Sequence, residues 1–435
     1  MRWMRRMPLR TLGALLVVGT ALAACGSGTT ADRNTLRGTT LVVFGAWSGI
    51  EQRRFLEVLS VFSAATGARV NYVSANGRYM PDVIDAWTAR GEPPDVALLP
   101  QPGLLRHYAE VDRLVPLDGT TAADAVEHYA GIWRSLASWN GQQYGIWFKA
   151  ANKSLVWYDV GTFERAGVVP PDDLSGLLRV ARVLRREEVA PFAVAGYDGW
   201  TLTDWFENIY LRIAGPTKYD ALAAHRMPWT DPSVCRALSV MGRLLAPANL
   251  LGGPAEALRT SFEASVPQAF GPPPRAAMLA EGDFVAGFIK SGTGIRVGAD
   301  VDAFPFPGGY AGLPVVVGGG DVAVQMSAGR APAELLSFLA SPAAAEVWAA
   351  RGGYISPNLD VDLSVYPDAL SRALARQVIE AGSGFRFDLS DLQPAEFGSA
   401  PWSGMQGALR RFLRDGEVSA AQRRLEAAAE KAGLR

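Results

Sequence analysis

The chain has 435 residues, 49% of them hydrophobic and 20% charged, with 42 basic side chains against 43 acidic ones and a net charge of −1. That length exceeds what one hydrophobic core usually serves, so two domains are expected, and the charge balance excludes the basic surface that nucleic-acid binding needs. Only Cys25 and Cys235 occur, which excludes a disulfide framework.

The N-terminus carries Arg2, Arg5, Arg6 and Arg10, an apolar stretch from Leu12 to Ala21, and then Leu22-Ala-Ala-Cys25. This is the pattern of a secretory signal, and its end resembles a bacterial lipobox, in which Cys25 becomes the lipid-modified first residue of the mature protein. Residues 1–24 are read as the leader and 25–38, small and polar, as a flexible tether. Cleavage removes the four arginines and leaves a mildly acidic mature chain. The apolar stretch is shorter than the ~20 residues of a membrane span, and no second one follows. Cys235, just after Asp231-Pro-Ser-Val, is expected to be a small buried hydrophobe.

Beyond the tether, Thr40–Phe44 reads as a strand ending in Gly45-Ala-Trp-Ser-Gly49. A helix follows, with Phe55, Val58, Leu59 and Phe62 on one face and Gly67 as its stop. Strand 68–73, helix 80–90 and strand 95–99 continue an α/β alternation, which predicts a parallel sheet with its ligand site at the strand carboxyl ends. Trp47, Ser48, Gln101 and Pro102 follow such strands. After helix 104–111 comes the stretch Gly141 to Asp159, where strand-like runs 144–148 and 154–158 flank Lys149-Ala-Ala-Asn-Lys153. This polar interruption reads either as a turn within one domain or as a crossing between two, with Trp147 and Phe148 near the floor of the cleft.

A second α/β unit then begins, with segments at 163–167, 174–187 and 192–195. Tyr197 to Trp205 opens a helix for which Thr201 or Thr203 is available as cap. Residues 246–274 are loop-rich, 275–280 form a strand, and Phe304-Pro-Phe-Pro-Gly-Gly309 is extended. In Val315 to Asp321, three glycines allow close backbone approach to a ligand. Helices are expected at 331–340, 343–351, 367–381, 404–414 and 420–432.

Several separated strings carry a family likeness. Pro93 to Leu105, Leu114-Val-Pro-Leu-Asp118 and the Tyr144–Tyr158 stretch resemble the extracytoplasmic sugar-binding proteins of ABC importers. Thr203-Asp-Trp-Phe-Glu-Asn208, Arg212-Ile-Ala-Gly-Pro216, Gly318-Gly-Gly-Asp321, Gly352 to Pro357 and Phe385 to Pro394 resemble, more narrowly, the α-glucoside-binding branch. The resemblance spans nearly the whole mature chain and departs from the family at Gly45–Gly49, where acidic and amide residues are usual. It implies an α/β, two-lobed periplasmic-binding-protein-like fold of type II, with a ligand cleft between lobes joined by hinge crossings. Lobe one is expected at 39–148 with 301–340, and lobe two at 149–300 with 341–435.

A sugar offers hydroxyls at its rim and C–H groups on its face, so its receptor combines flat apolar platforms with planar hydrogen-bonding groups. Trp47, Trp200, Trp205, Phe284 and Trp402 are candidate platforms. Gln101, Lys149, Asp204, Asp321 and Arg386 are candidate polar contacts. Trp205 is equally compatible with core packing, Asp204 with charging a helix N-terminus, and Arg386 with a surface pair to Asp388 or Asp391.

Enzyme signatures are poor: there is no Gly-x-Ser-x-Gly elbow and no Walker loop, and His107, His128 and His225 lack metal-ligand spacing. The expected protein is a monomeric receptor on the outer face of the cell membrane, lipid-anchored at Cys25. It captures an α-glucoside by hinge closure and delivers it to the permease subunits of an ABC importer, with no catalytic residue, metal or cofactor. The alternatives are a secreted glycoside hydrolase, whose two carboxylates would flank the sugar ~5–10 Å apart, and a same-fold receptor for a non-sugar solute such as a glycerophosphodiester or peptide.

Overall fold

The computed structural model describes residues 35–290 and 294–434; the expected leader and Cys25 lie outside them. In chain order the strands are β1 (Thr40–Gly45), β2 (Arg69–Ser74), β3 (Val96–Leu99), β4 (Ser138–Trp139), β5 (Gln142–Gln143), β6 (Gly145–Asn152), β7 (Leu155–Asp159), β8 (Ala190–Phe192), β9 (Ala276–Ala280), β10 (Val301–Pro305), β11 (Val316–Gln325) and β12 (Phe385–Phe387). One sheet runs β12-β11-β3-β1-β2, with β6 also pairing β11, and a second runs β10-β7-β9-β8. Strands β1, β2 and β3 are mutually parallel, as the βαβ alternation requires, whereas β11 enters antiparallel to both β3 and β6. Each sheet is the centre of one lobe.

The helix after β1 shows how local sequence and packing agree. Gly49–Thr66 buries Phe55, Val58, Leu59 and Phe62, and Gly67 ends it at φ 77 with its N–H on the Ser63 carbonyl. That left-handed turn is where glycine carries no Cβ penalty. Trp47 then packs edge-on against Phe55 and Trp348, with ring centroids 4.9 Å apart in both pairs, a favoured aromatic geometry.

Three features differ from the sequence-based expectation. First, β6 does not break at Lys149: it runs to Asn152 with all eight residues buried. The ladder to Gly318, Gly319, Gly320 and Asp321 of β11 satisfies its backbone, which outweighs the low strand propensity of the Lys-Ala-Ala-Asn string. Second, β10 pairs with β7 in the second sheet, although it was assigned to lobe one. Conversely, Trp348, Tyr354 and Tyr366, assigned to lobe two, pack in the core of the first sheet. Trp348 packs against Trp47 and Phe148, and Tyr354 against Phe148. The C-terminal helices Gly404–Asp415 and Val418–Lys431 do pack with lobe two. Third, neither Thr201 nor Thr203 caps the Trp200–Ala223 helix. Gly199 holds that position at φ 82, while the two hydroxyls donate to the carbonyls of Ala195 and Trp200. Cys235 is only half-buried.

The chain crosses between sheets at Lys153–Ser154, between β10 and β11, and after β12. Trp147 and Phe148, expected at the floor of the cleft, are instead 1% exposed in the core of lobe one.

Candidate functional site

A cleft of about 560 Å³ opens between the lobes, within the range of small-molecule sites. Lobe one contributes Trp47 and Glu51 from the end of β1 and the following helix, Gln101 after β3, Lys149 of β6 and Asp321 of β11. Lobe two contributes Asp198, Trp200, Phe262, Glu263, Phe284 and Gln406. Post-strand loops supply much of the lobe-one wall because all three parallel strands end there, as expected for open α/β sheets.

Of the ten residues expected to meet ligand, six line this cleft: Trp47, Gln101, Lys149, Trp200, Phe284 and Asp321. Four do not, each for an identifiable reason. Trp205 is 2% exposed and packs edge-on against Phe192 and Phe306 in the core. Arg386 pairs through both arms of its guanidinium with Asp220, at 2.6 and 3.0 Å, rather than with Asp388, Asp391 or a ligand. Asp204 is buried behind the wall on Lys153. Trp402 is 59% exposed beside the cleft, edge-on to Tyr197, with the Arg410 guanidinium 4.3 Å from its ring.

Asp204 belongs to a larger arrangement that sequence reading missed. The Trp200–Ala223 helix turns a row of polar side chains, Asp204, Glu207, Asn208 and Arg212, toward the crossings, and their spacing of three to four residues places them on one face. Asp204 pairs with Lys153 at 3.2 Å. Asn208 donates to the Lys153 carbonyl and accepts from the Ser154 hydroxyl, which itself accepts from the Val317 N–H. Arg212 donates to the carbonyls of Phe306 and Val315, pinning the second crossing at its two ends. Glu207 accepts from the N–H groups of Leu389 and Ser390 in the third. The Thr203–Asn208 and Arg212 strings thus brace the hinge. Buried polar groups are mostly hydrogen-bonded, and helical spacing was the signal that could have found this row.

Lys153 is the centre of that brace. Its ammonium meets Asp204 from the helix and Asp388 and Asp391 from the third crossing, and reaches the cleft 5.6 Å from the Trp200 ring. Burial works against its charge, but the three carboxylates outweigh it and hold the lysine well above its ordinary pKa. Burial pushes Asp204 up, whereas Lys153 pulls Asp388 below the usual carboxylate range in spite of burial. Asp391 rises to about 8 through burial and the neighbouring Asp388. Glycine at 319 makes room for Lys153, since a Cβ there would stand 2.9 Å from its Cε. The three glycines serve this packing: a Cβ at Gly320 would meet the Lys149 carbonyl at 2.5 Å, and one at Gly318 the Phe385 ring at 2.3 Å.

Lys149 occupies a different setting. It pairs with Glu51 and lies 5.0 to 5.8 Å from the rings of Trp348, Phe284 and Trp47, within cation–π range. Burial again opposes its charge, and Glu51, Asp321 and Asp283 overcome it to raise the pKa. Asp321, opposite Lys149 in the β6–β11 ladder, is pushed to about 6 by burial against the pull of Lys149. Among the described residues no cluster of His, Cys, Asp or Glu has the arrangement of a metal site.

Comparisons with known proteins agree with this architecture. The chain is 33% identical over 415 residues to an osmoprotective compounds-binding protein of Synechocystis sp., covering 92% of this chain and 95% of that one. It is also 33% identical over 387 residues to an alpha-glucosides-binding periplasmic protein of Rhizobium meliloti, covering 85% and 83%. Among solved structures, a bacterial solute receptor with a preference for β-D-galactopyranose superposes with a TM-score of 0.78 at 17% identity, over 91% of this chain and all of that one. A raffinose complex of another solute-binding protein gives 0.72 at 16%, over 90% and 99%. At such identities these two structures establish the shared fold. Residues 48–346 match the model of the bacterial extracellular solute-binding proteins, and the chain belongs to that family.

Proposed function

We propose that the ligand is an α-linked glucoside of the maltose, trehalose or sucrose class, held between the lobes and handed to the permease after hinge closure, by a monomeric receptor tethered through lipid at Cys25. The observation that carries this reading is the composition of the cleft. Trp200 and Phe284 offer apolar faces, while Gln101, Asp321 and other planar polar groups stand around them, the pairing that a sugar's C–H faces and hydroxyl rim call for. The 33% identity to the alpha-glucosides-binding protein supports the choice among sugars, and the leader with Leu22-Ala-Ala-Cys25 supports the anchor. Closure buries the ligand, and the closed form is the one the permease receives.

The test is titration calorimetry with maltose, trehalose and sucrose, alongside glycerophosphocholine and an assay for released glucose. At least one sugar binds and none is hydrolysed if the reading is right; heat from the phosphodiester alone, or release of glucose, overturns it. The osmoprotective compounds-binding relative favours a second reading, in which the ligand is an osmoprotectant outside the sugars. Glycine betaine in the same series separates the two.

A further inference from the structure

The lobe-two wall of the cleft contains a buried polar atom with no partner. Gln406, in the first turn of the Gly404–Asp415 helix, is 4% exposed and lines the cleft, yet its Oε1 makes no hydrogen bond. Buried amide oxygens are ordinarily satisfied, and leaving one unpaired is unfavourable. Its place is prepared by Gly199. At φ 82 that residue favours glycine, and a Cβ there would come within 2.8 Å of Gln406 Oε1 and 3.0 Å of its Cβ. Beside it stand Asp198, whose Oδ2 already accepts the Phe262 N–H, and the Trp200 ring.

The charges of the cleft point the same way. Five carboxylates line it, from Glu51, Asp198, Glu263, Asp321 and Asp391, against three cations. Two of those cations are neutralised locally, Lys149 by Glu51 and Lys153 by Asp388 and Asp204. The third, Arg78, gives its Nε–H to the Ala75 carbonyl and stands exposed on lobe one. At this wall Gln406 Oε1 and the Asp198 carboxylate are acceptors, so a hydroxyl hydrogen completes what the fold leaves open, whereas a phosphate or carboxylate brings oxygen lone pairs and negative charge to the same place.

We propose that Gln406, with Asp198 and Trp200, forms a subsite that accepts a sugar hydroxyl and makes the receptor select a neutral glucoside over the same glucoside bearing a phosphate or carboxylate. This rests on the glucoside reading above and adds the residue and the charge class to it. Calorimetry compares maltose, trehalose and sucrose with the 6-phosphate of each, in wild type, Gln406→Leu and Gln406→Glu. For whichever sugar binds, the phosphate is at least about tenfold weaker, equivalent to ~1.4 kcal/mol. Gln406→Leu weakens the neutral sugar by a similar factor, while Gln406→Glu keeps an acceptor, stays within about threefold for the neutral sugar and widens the gap to the phosphate. Thermal melts establish that each variant is folded, and Gln406→Glu carries the test if the leucine variant is not. A neutral sugar that binds Gln406→Leu as well as wild type, or a phosphate that binds as well as its parent, overturns the subsite and leaves the glucoside reading standing. Silence from all three neutral sugars overturns that reading and the subsite with it.

Discussion

Two lysines four residues apart, at the end of one strand, face opposite tasks. Lys149 is held within lobe one, by Glu51 and an aromatic surround that reaches Phe284 across the cleft. Lys153 stands where the chain leaves that lobe and gathers Asp204, Asp388 and Asp391 from two other segments. Both are buried cations, both keep their charge through carboxylates that outweigh desolvation, and both reach the cleft. The difference lies in what each joins: removing Lys149 disturbs a wall, and removing Lys153 disturbs the connection between walls. A buried ion pair broken on one side leaves an uncompensated charge, which costs far more than a surface pair.

The sharpest way to break this comparison is Lys153→Met, similar in volume but uncharged. With Asp388 and its neighbours left facing one another, we expect a loss of ~3–5 kcal/mol in denaturant unfolding. A variant within ~1 kcal/mol of wild type would mean that the crossings are held by their backbone and amide bonds without the charge. Glu51→Gln probes the other lysine more gently. Lys149 keeps Asp321 and Asp283 nearby, so the expected loss is ~1.5–3 kcal/mol, the range of a hydrogen bond to a charged group. An effect as large as that of Lys153→Met would erase the distinction.

The smallest effect is on pH dependence, and it sharpens the comparison by separating the two clusters. Asp321 and Asp283, beside Lys149, sit at about 6, while Asp391 and Glu281, on the Lys153 side, sit at about 8, all raised chiefly by burial. A carboxyl raised above its unfolded value contributes stability that is complete below the unfolded pKa of ~4 and is lost as pH rises through the folded value. The melting temperature is therefore expected to fall steeply up to pH 6, while all four carboxyls resist ionisation, and more gently from 6 to 8, where only Asp391 and Glu281 still do. Asp388, held low, acts with the opposite sign and only in strong acid. Glu281→Gln should reduce the slope throughout and, proportionally, most between pH 6 and 8; a melting temperature that rises with pH across this window would contradict the assignment.

Much of the fold was legible along the chain. The helix with Phe55, Val58, Leu59 and Phe62 and the stop at Gly67 follow from period and glycine chemistry alone, as do the alternating β1, β2 and β3. The candidate site was legible in part, because residues after parallel strands face a cleft by topology, which placed Trp47 and Gln101. Where one helix carried several attractive side chains, the reading failed. Trp205 and Asp204 stand beside Trp200 in the sequence, but only Trp200, at the first turn, reaches the cleft, while the others turn toward the core and the crossings.

Local pattern, in short-range terms, determined that this is an α/β chain with an aromatic-rich region and a polar interruption from Lys149 to Lys153, since periodicity and turn chemistry act between near neighbours. Only the tertiary structure decided that the crossing begins at Lys153, that Gly319 makes room for that lysine, and that Gln406 lies beside Gly199. Those facts depend on pairs 166 to 235 residues apart, such as Lys153 with Gly319 and Asp388, whose partners no spacing along the chain reveals. The identity of a buried ion's partner is set by which segments the cores bring together, and that choice belongs to the packed molecule.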